Sequence, residues 1–142
     1  MIKNLILVFV LAFVTAGVHS QSVLGKWKTV DDKTGITKSV VEIYEQDGKV
    51  YGKVVEILNK DRQDAVCDQC EGADKNKKIL GLTIIRGLEK DGDEYNGGHI
   101  LDPENGKLYK CYIELEAPNK LKVRGYIGFS LLGRSQFWYR VK

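Results

Sequence analysis

The chain has 142 residues, a formal net charge of +3 and 29% charged residues. This length suffices for one domain with a hydrophobic core, but not for two domains of ordinary size. The nearly balanced charge argues against a dedicated nucleic-acid-binding protein, which would concentrate positive charge on one face.

The first element in chain order is a predicted signal peptide over residues 1–20. Lys3 precedes an unbroken apolar run from Leu5 to Val14, and small residues lead up to a cleavage point after Ser20. The apolar run is half of the roughly 20 residues that span a bilayer, so an export signal is favoured over a membrane anchor. We expect residues 21–142 to form a single domain without a transmembrane segment, located in the periplasm or outside the cell.

Eight short runs rich in β-branched and aromatic residues follow, separated by turn residues. The predicted strands are Gly25–Val30, Ile36–Glu45, Lys49–Leu58, Ile79–Leu88, Glu94–Leu101, Lys107–Glu116, Lys120–Ile127 and Gly133–Val141. The polar segment Asn59–Lys78 predicts a long loop, and at most one short helix is expected. Because short hairpins join most of the strands, we predict an all-β, eight-stranded, up-and-down antiparallel barrel. A two-sheet sandwich is the alternative.

Alternation of side chains assigns faces on the later strands. The side chains expected to face the interior are Tyr109, Cys111, Ile113, Leu115, Leu121, Val123 and Ile127. The basic stripe of the seventh strand is expected to face solvent. On the last strand, Arg134, Gln136, Trp138 and Arg140 share one face, and Phe137, Tyr139 and Val141 share the other. The sequence leaves open which of these two faces points inward.

Gly25-Lys26-Trp27 on the first strand and Arg140 on the last resemble the signature of calycin barrels such as lipocalins. This resemblance implies a tryptophan that closes one end of the barrel and an arginine that packs across it. A longer series of segments is similar to a bacterial exported family, domain of unknown function 2147. The segments are Gly25–Thr29, Thr34–Gly35, Ile43–Glu45, Gly48–Val54, Cys67–Cys70, Ile100–Tyr109, Val123–Tyr126 and Gly133–Trp138. The similarity implies a lipocalin-like barrel and brings no established activity.

Cys67 and Cys70 form a CxxC motif in the predicted long loop. A local disulfide is the expected state in an exported protein, and acidic neighbours disfavour the thiolate that a redox catalyst needs. Two alternatives remain open. Cys111 could pair with one of these sulfurs, or it could join them and His99 in a Cys₃His metal site.

No arrangement of residues predicts catalysis, a cofactor or a metal centre, and the acidic pairs fit turns better than acid–base chemistry. We therefore predict a non-enzymatic binding module for a small hydrophobic or amphipathic, lipid-like ligand. The predicted ligand-binding residues are Trp27, Tyr44, Tyr109, Gln136, Trp138 and Arg140. One alternative function is an envelope protein-interaction module with a solid core, and another is a protein with a Cys/His metal site.

Overall fold

A computed structural model describes residues 22–142. The eight strands form a closed antiparallel barrel in which each strand pairs with its neighbours in sequence. They are β1 (Gly25–Val30), β2 (Thr37–Gln46), β3 (Lys49–Ile57), β4 (Thr83–Asp91), β5 (Glu94–Asp102), β6 (Lys107–Ala117), β7 (Lys120–Tyr126) and β8 (Gly133–Arg140). The predicted barrel is confirmed and the sandwich alternative is wrong. The predicted signal peptide, 1–20, lies outside the described residues.

Side-chain alternation on β6 and β7 explains how these strands pack. Cys111 and Ile113 of β6 are buried, and so are Leu121 and Val123 of β7. Ile113 lies opposite Val123 across the pair, so both side chains project from the same face into the interior. The inward assignment of Ile127 is wrong, because β7 ends before this residue and its side chain is 65% exposed in the following loop.

One end of the barrel, here called the base, carries three two-residue hairpins: Asp47-Gly48, Gly92-Asp93 and Pro118-Asn119. Asp47 and Gly48 both have positive φ, 53° and 77°, as a tight primed turn requires. The opposite end, here called the mouth, carries the four longer connections 31–36, 58–82, 103–106 and 127–132.

Apolar side chains fill the lower part of the interior. The side chains in this part that are no more than 2% exposed include Trp27, Val41, Ile43, Ile85, Leu88, Ile113, Leu121 and Trp138. Packing is tight enough that a Cβ added at Gly52 would lie 3.1 Å from a methyl of Val41 and 3.2 Å from Ile85. The barrel is therefore solid towards the base.

The long β3–β4 loop extends further than predicted, because β4 begins at Thr83 instead of Ile79. Ile79 donates its backbone N–H to Ala65, and Val66 pairs with Lys78. Within residues 22–142 there is no α-helix, and the loop contains two 3-10 turns, Lys60–Arg62 and Gly72–Asp74. None of the helical segments in the described part of the chain is long and apolar enough to cross a membrane.

Candidate ligand site at the barrel mouth

Trp27 and Arg140 close the base. The Arg140 guanidinium lies 4.3 Å from the centre of the Trp27 ring, and the indole Nε1 donates to the Val23 carbonyl at 2.9 Å. Arg140 also donates to the carbonyls of Ser22, Leu24 and Pro118, at 2.6, 3.0 and 3.0 Å. With its donors used in this way, Arg140 ties the N-terminal segment and the β6–β7 hairpin to β8. This is the arrangement that the calycin resemblance implies.

The open question about the last strand is settled by burial. Trp138 is 2% exposed and Gln136 is half-buried, whereas Phe137 and Tyr139 are 36% and 44% exposed. The face with Gln136 and Trp138 therefore points inward. The Trp138 indole donates to the Gln136 side-chain oxygen at 3.3 Å, which leaves the amide nitrogen of Gln136 as a donor.

Towards the mouth the inward side chains are only partly buried. Tyr109 of β6 and Ile100 of β5 lie opposite each other in register, and both are half-buried. Beside them Gly125 has no side chain, and a Cβ added there would lie 3.4 Å from Ile100 and 3.5 Å from Tyr109. Together with Gln136 these residues form a partly buried, inward-facing surface at the mouth, which we call the mouth cup.

Two further polar groups belong to this end of the barrel. Asn105 donates to the Tyr109 hydroxyl at 3.0 Å and so fixes the position of the phenol. On the β1–β2 side, the hydroxyls of Thr29 and Ser39 lie 2.8 Å apart. Their strands pair in a register that places them on the same face as Trp27, so they too face inward. Ile100, Thr29 and Ser39 are not among the predicted ligand-binding residues, although their strand register opposite or beside Tyr109 and Trp27 could have identified them.

Tyr44 lies elsewhere. Ile43 takes the inward position of β2 with 1% exposure, so Tyr44 is on the outer face of the barrel. There its ring stacks on that of Tyr51 with centroids 5.8 Å apart, and the Lys53 ammonium lies 5.8 Å from its centre. The structure therefore brings Tyr109 and Gln136 together at the mouth and Trp27, Trp138 and Arg140 at the base, and it separates Tyr44 from both groups.

An ion-pair cluster spans the mouth. Lys38 of β2 contacts Asp31 at 3.0 Å and Glu104 of the β5–β6 turn at 2.8 Å. Strands β3 and β4 lie between β2 and β5 in the barrel wall, so the Lys38–Glu104 contact bridges the opening. The Lys38 ammonium and the backbone N–H groups of Thr34 and Lys33 hold the pKa of Asp31 well below its usual range.

The predicted Cys67–Cys70 disulfide is confirmed, with Cα atoms 5.3 Å apart and both residues buried. The disulfide segment packs closely on the β5–β6 turn: a Cβ added at Gly106 would fall 1.9 Å from the Gln69 carbonyl oxygen. Asp74 of the same loop pairs with Arg86 of β4 at 2.9 Å, and this guanidinium lowers the pKa of the carboxyl. The loop is therefore held against the barrel wall at two places.

The four residues of the alternative Cys₃His site are not brought together. Cys67 and Cys70 share the disulfide, Cys111 is buried inside the barrel, and His99 lies opposite the exposed Lys110 on the outer face. Within residues 22–142, no group of three or more His, Cys, Asp or Glu side chains could hold a metal ion. Burial raises the pKa of Cys111 to about 12, so this thiol is protonated at neutral pH.

Comparisons with known proteins agree with this architecture. The profile of a family described as uncharacterized proteins conserved in bacteria, domain of unknown function 2147, matches residues 25–140. Among curated proteins there is no match. A solved structure from the human pathogen Helicobacter pylori, described as belonging to the lipocalin family, is similar with a TM-score of 0.76 and 18% sequence identity. The similarity covers 87% of this chain and 85% of the Helicobacter protein, and at this identity it shows a shared fold.

Proposed function

Since the chain belongs to the bacterial family domain of unknown function 2147 and folds as a lipocalin-like barrel, we propose that it is an exported, non-enzymatic binding module. Its ligand is a small amphipathic, lipid-like molecule that occupies the mouth cup. The N-terminal signal pattern supports the export, and so does the disulfide, which persists in oxidising compartments.

The observation that carries this proposal is the change in the interior from base to mouth. Towards the base the inward side chains are apolar and tightly packed, whereas Tyr109, Gln136 and Ile100 are only partly buried and combine polar and apolar surface. Binding sites for small molecules have this mixed composition, with a few fixed polar groups on a largely apolar lining. The free amide nitrogen of Gln136 and the Tyr109 hydroxyl can bond a ligand head group, while Ile100 contacts its apolar part.

The filled base limits the size of the ligand. Trp27 and Trp138 are almost fully buried, and Arg140 donates to three carbonyls, so these three predicted residues close the barrel and do not contact a ligand at the mouth. A long acyl chain would have to displace the packed core, which is costly. The ligand is therefore one whose apolar part is short or remains partly outside the barrel.

The solid base also favours the second candidate, a protein-interaction module. Two open clefts flank the disulfide loop, and the larger, of about 570 Å³, is lined mainly by polar side chains of the loop and of the β5–β6 turn. Residues that line it are Arg62, Val66, Asp68, Gln69, Pro103, Glu104 and Asn105. A polar surface cleft of this kind fits a peptide segment better than a lipid.

A fluorescent amphipathic probe with a short chain, dansylated 6-aminohexanoic acid, tests the mouth cup. We expect Tyr109→Ala or Gln136→Leu to weaken probe binding at least tenfold, the effect of losing about 1.4 kcal/mol. Tyr44→Ala is the matched control, because it removes the same side chain from the outer face and should leave binding unchanged. Native mass spectrometry of the protein as purified should also show a retained small-molecule adduct.

Two results would refute the proposal. One is the absence of both an adduct and measurable probe binding in the folded wild-type protein. The other is equal weakening by Tyr44→Ala and Tyr109→Ala, which would place the probe on the outer wall. Crosslinking in intact cells that instead captures a protein through the disulfide-loop cleft would support the interaction module.

A further inference from the structure

The β7–β8 connection, residues 127–132, presents apolar side chains to solvent. Ile127, Phe129, Leu131 and Leu132 are 65%, 77%, 88% and 66% exposed. The loop is nevertheless internally bonded, since Ile127 donates to the Leu132 carbonyl and Leu132 to that of Phe129. These hydrogen bonds give the loop a defined backbone whose apolar side chains point outward. Exposed apolar patches of this kind in monomeric proteins commonly mark an interaction site.

Exposed apolar residues are concentrated at the mouth. Besides the β7–β8 loop, the exposed large apolar side chains at or beside the mouth connections are Ile36, Leu58, Val66, Leu80 and Leu108. In residues 22–142 the remaining exposed ones are Phe137 and Tyr139 on the barrel wall. The hairpin turns of the base carry no large apolar side chain other than proline. Most of the exposed large apolar side chains of residues 22–142 therefore lie at the mouth end.

Positive charge lies next to the apolar loop. The Arg124 guanidinium donates to the Ser130 carbonyl at 2.7 Å and to the Ser135 hydroxyl at 2.9 Å, and both partners are neutral. Its charge is therefore not balanced by either contact. Arg134 lies on the other side of the loop, 54% exposed and paired with Asp32 at 2.9 Å. An apolar loop tip with a cation beside the loop matches the boundary between the acyl chains and the anionic head groups of a bilayer.

We propose that the β7–β8 loop docks the protein on an anionic lipid bilayer, with its four apolar side chains inserted below the head groups. A second copy of the chain is a poorer partner, because a stable protein interface takes about 20–30 residues a side and this loop supplies six. In the docked orientation the mouth faces the membrane and the hairpin turns of the base face away from it. The docking itself does not depend on a ligand in the mouth cup.

Vesicle flotation tests the proposal. The wild-type protein should float with vesicles of phosphatidylglycerol and phosphatidylethanolamine, and binding should fall with rising salt and be weaker on phosphatidylcholine. The double variant Phe129→Ser/Leu131→Ser should bind at least tenfold more weakly. The matched control is Phe137→Ser/Tyr139→Ser, which removes two exposed rings from the barrel wall and should bind as the wild type does. All proteins carry the same N-terminus, so its contribution cancels, and thermal unfolding verifies that each variant is folded.

Three outcomes would overturn the proposal: no vesicle binding by folded wild-type protein, equal binding by the loop variant and the wild type, or equal loss in the wall variant. Sedimentation distinguishes the remaining occupant. A wild-type dimer that the loop substitutions convert to a monomer, without any vesicle binding, would identify a second copy of the chain as the partner instead of lipid.

Discussion

Arg140 and Arg134 both belong to β8, yet they contact very different surroundings. Arg140 stacks on the buried Trp27 ring and donates to three backbone carbonyls. Arg134 is half-exposed and makes a single ion pair with Asp32. Replacing each arginine by lysine keeps the positive charge and removes the planar set of donors. The two substitutions therefore separate the contribution of the donors to stability from that of the charge.

We expect Arg140→Lys to lower the free energy of unfolding by about 2–3 kcal/mol, since a lysine cannot stack flat on Trp27 or reach all three carbonyls. Arg134→Lys should change it by less than about 0.5 kcal/mol, as is usual for exposed ion pairs. Urea unfolding followed by tryptophan fluorescence measures both values. If Arg140→Lys lowers the free energy of unfolding as little as Arg134→Lys is expected to, Arg140 acts through its charge alone.

Cys111 gives stability a specific dependence on alkaline pH. Its folded-state pKa is raised from 9.0 to about 12 by burial. Between these values the thiol is ionised in the unfolded chain and protonated in the folded one, so unfolding releases a proton and stability falls as pH rises.

From pH 8 to pH 10, the free energy of unfolding should therefore fall by about 1.4 kcal/mol more in the wild type than in Cys111→Ala. Urea unfolding at the two pH values measures this difference. Subtracting the change seen in Cys111→Ala cancels the contribution of every other titrating group, because both proteins contain those groups. The disulfide is kept intact throughout. Parallel pH dependences in the two proteins would mean that the folded-state thiol ionises in its ordinary range.

At the scale of elements, the disulfide loop and the β5–β6 turn form a unit in which Gly106 is the point of closest approach. Gly106 has φ 73°, and a Cβ there would clash with the Gln69 carbonyl and the Cys70 nitrogen. Gly48 has nearly the same φ, 77°, but nothing lies within 4 Å of its added Cβ. Alanine at either position introduces a similar backbone strain, but only at Gly106 does its Cβ also clash with neighbouring atoms.

Gly48→Ala should cost about 1 kcal/mol of stability, whereas Gly106→Ala should cost more and should displace the disulfide loop. Hydrogen exchange measures the displacement: amides of Cys67 and Asn76, whose bonds hold the loop together, should exchange faster in Gly106→Ala alone. Unchanged exchange at these amides would indicate that the β5–β6 turn moves and the loop does not.

The sequence predicts these elements to different degrees. Hairpin signals such as Asp47-Gly48 and the alternation on β6 and β7 are local, so the barrel could be anticipated. The outward position of Tyr44 could not be anticipated. Two successive valines, Val40 and Val41, are both buried at a bulge in the β2–β3 pairing, and they obscure the alternation of inward and outward side chains on β2. Which face of β8 points inward was also undetermined, because aromatic residues occupy both faces.

At the scale of the whole molecule, the barrel is closed by a short seam. Strands β1 and β8 share two register pairs, Trp27 with Arg140 and Lys28 with Tyr139, whereas β7 and β8 share seven. The seam lies at the base, where Arg140 and Trp27 strengthen it, and it leaves the mouth half of β8 unpaired with β1. Partial opening of the barrel should begin at the β1–β8 seam, because fewer backbone hydrogen bonds must break there than between other neighbouring strands.

Native-state hydrogen exchange in low concentrations of denaturant tests this expectation. Amides in the β1–β8 seam should exchange through an opening with a lower free energy than that of amides paired between Ile113 and Val123, which should require global unfolding. The mouth cup lies on the mouth halves of β5 to β8, whereas the seam pairs Trp27–Arg140 and Lys28–Tyr139 lie towards the base. An amphipathic probe should therefore raise protection around Tyr109 and leave the seam amides unchanged. If all strands instead exchange with one common free energy, the barrel opens only by complete unfolding. If the probe protects the seam as strongly as the mouth, the bound molecule holds the two ends of the barrel together, contrary to the location proposed for it.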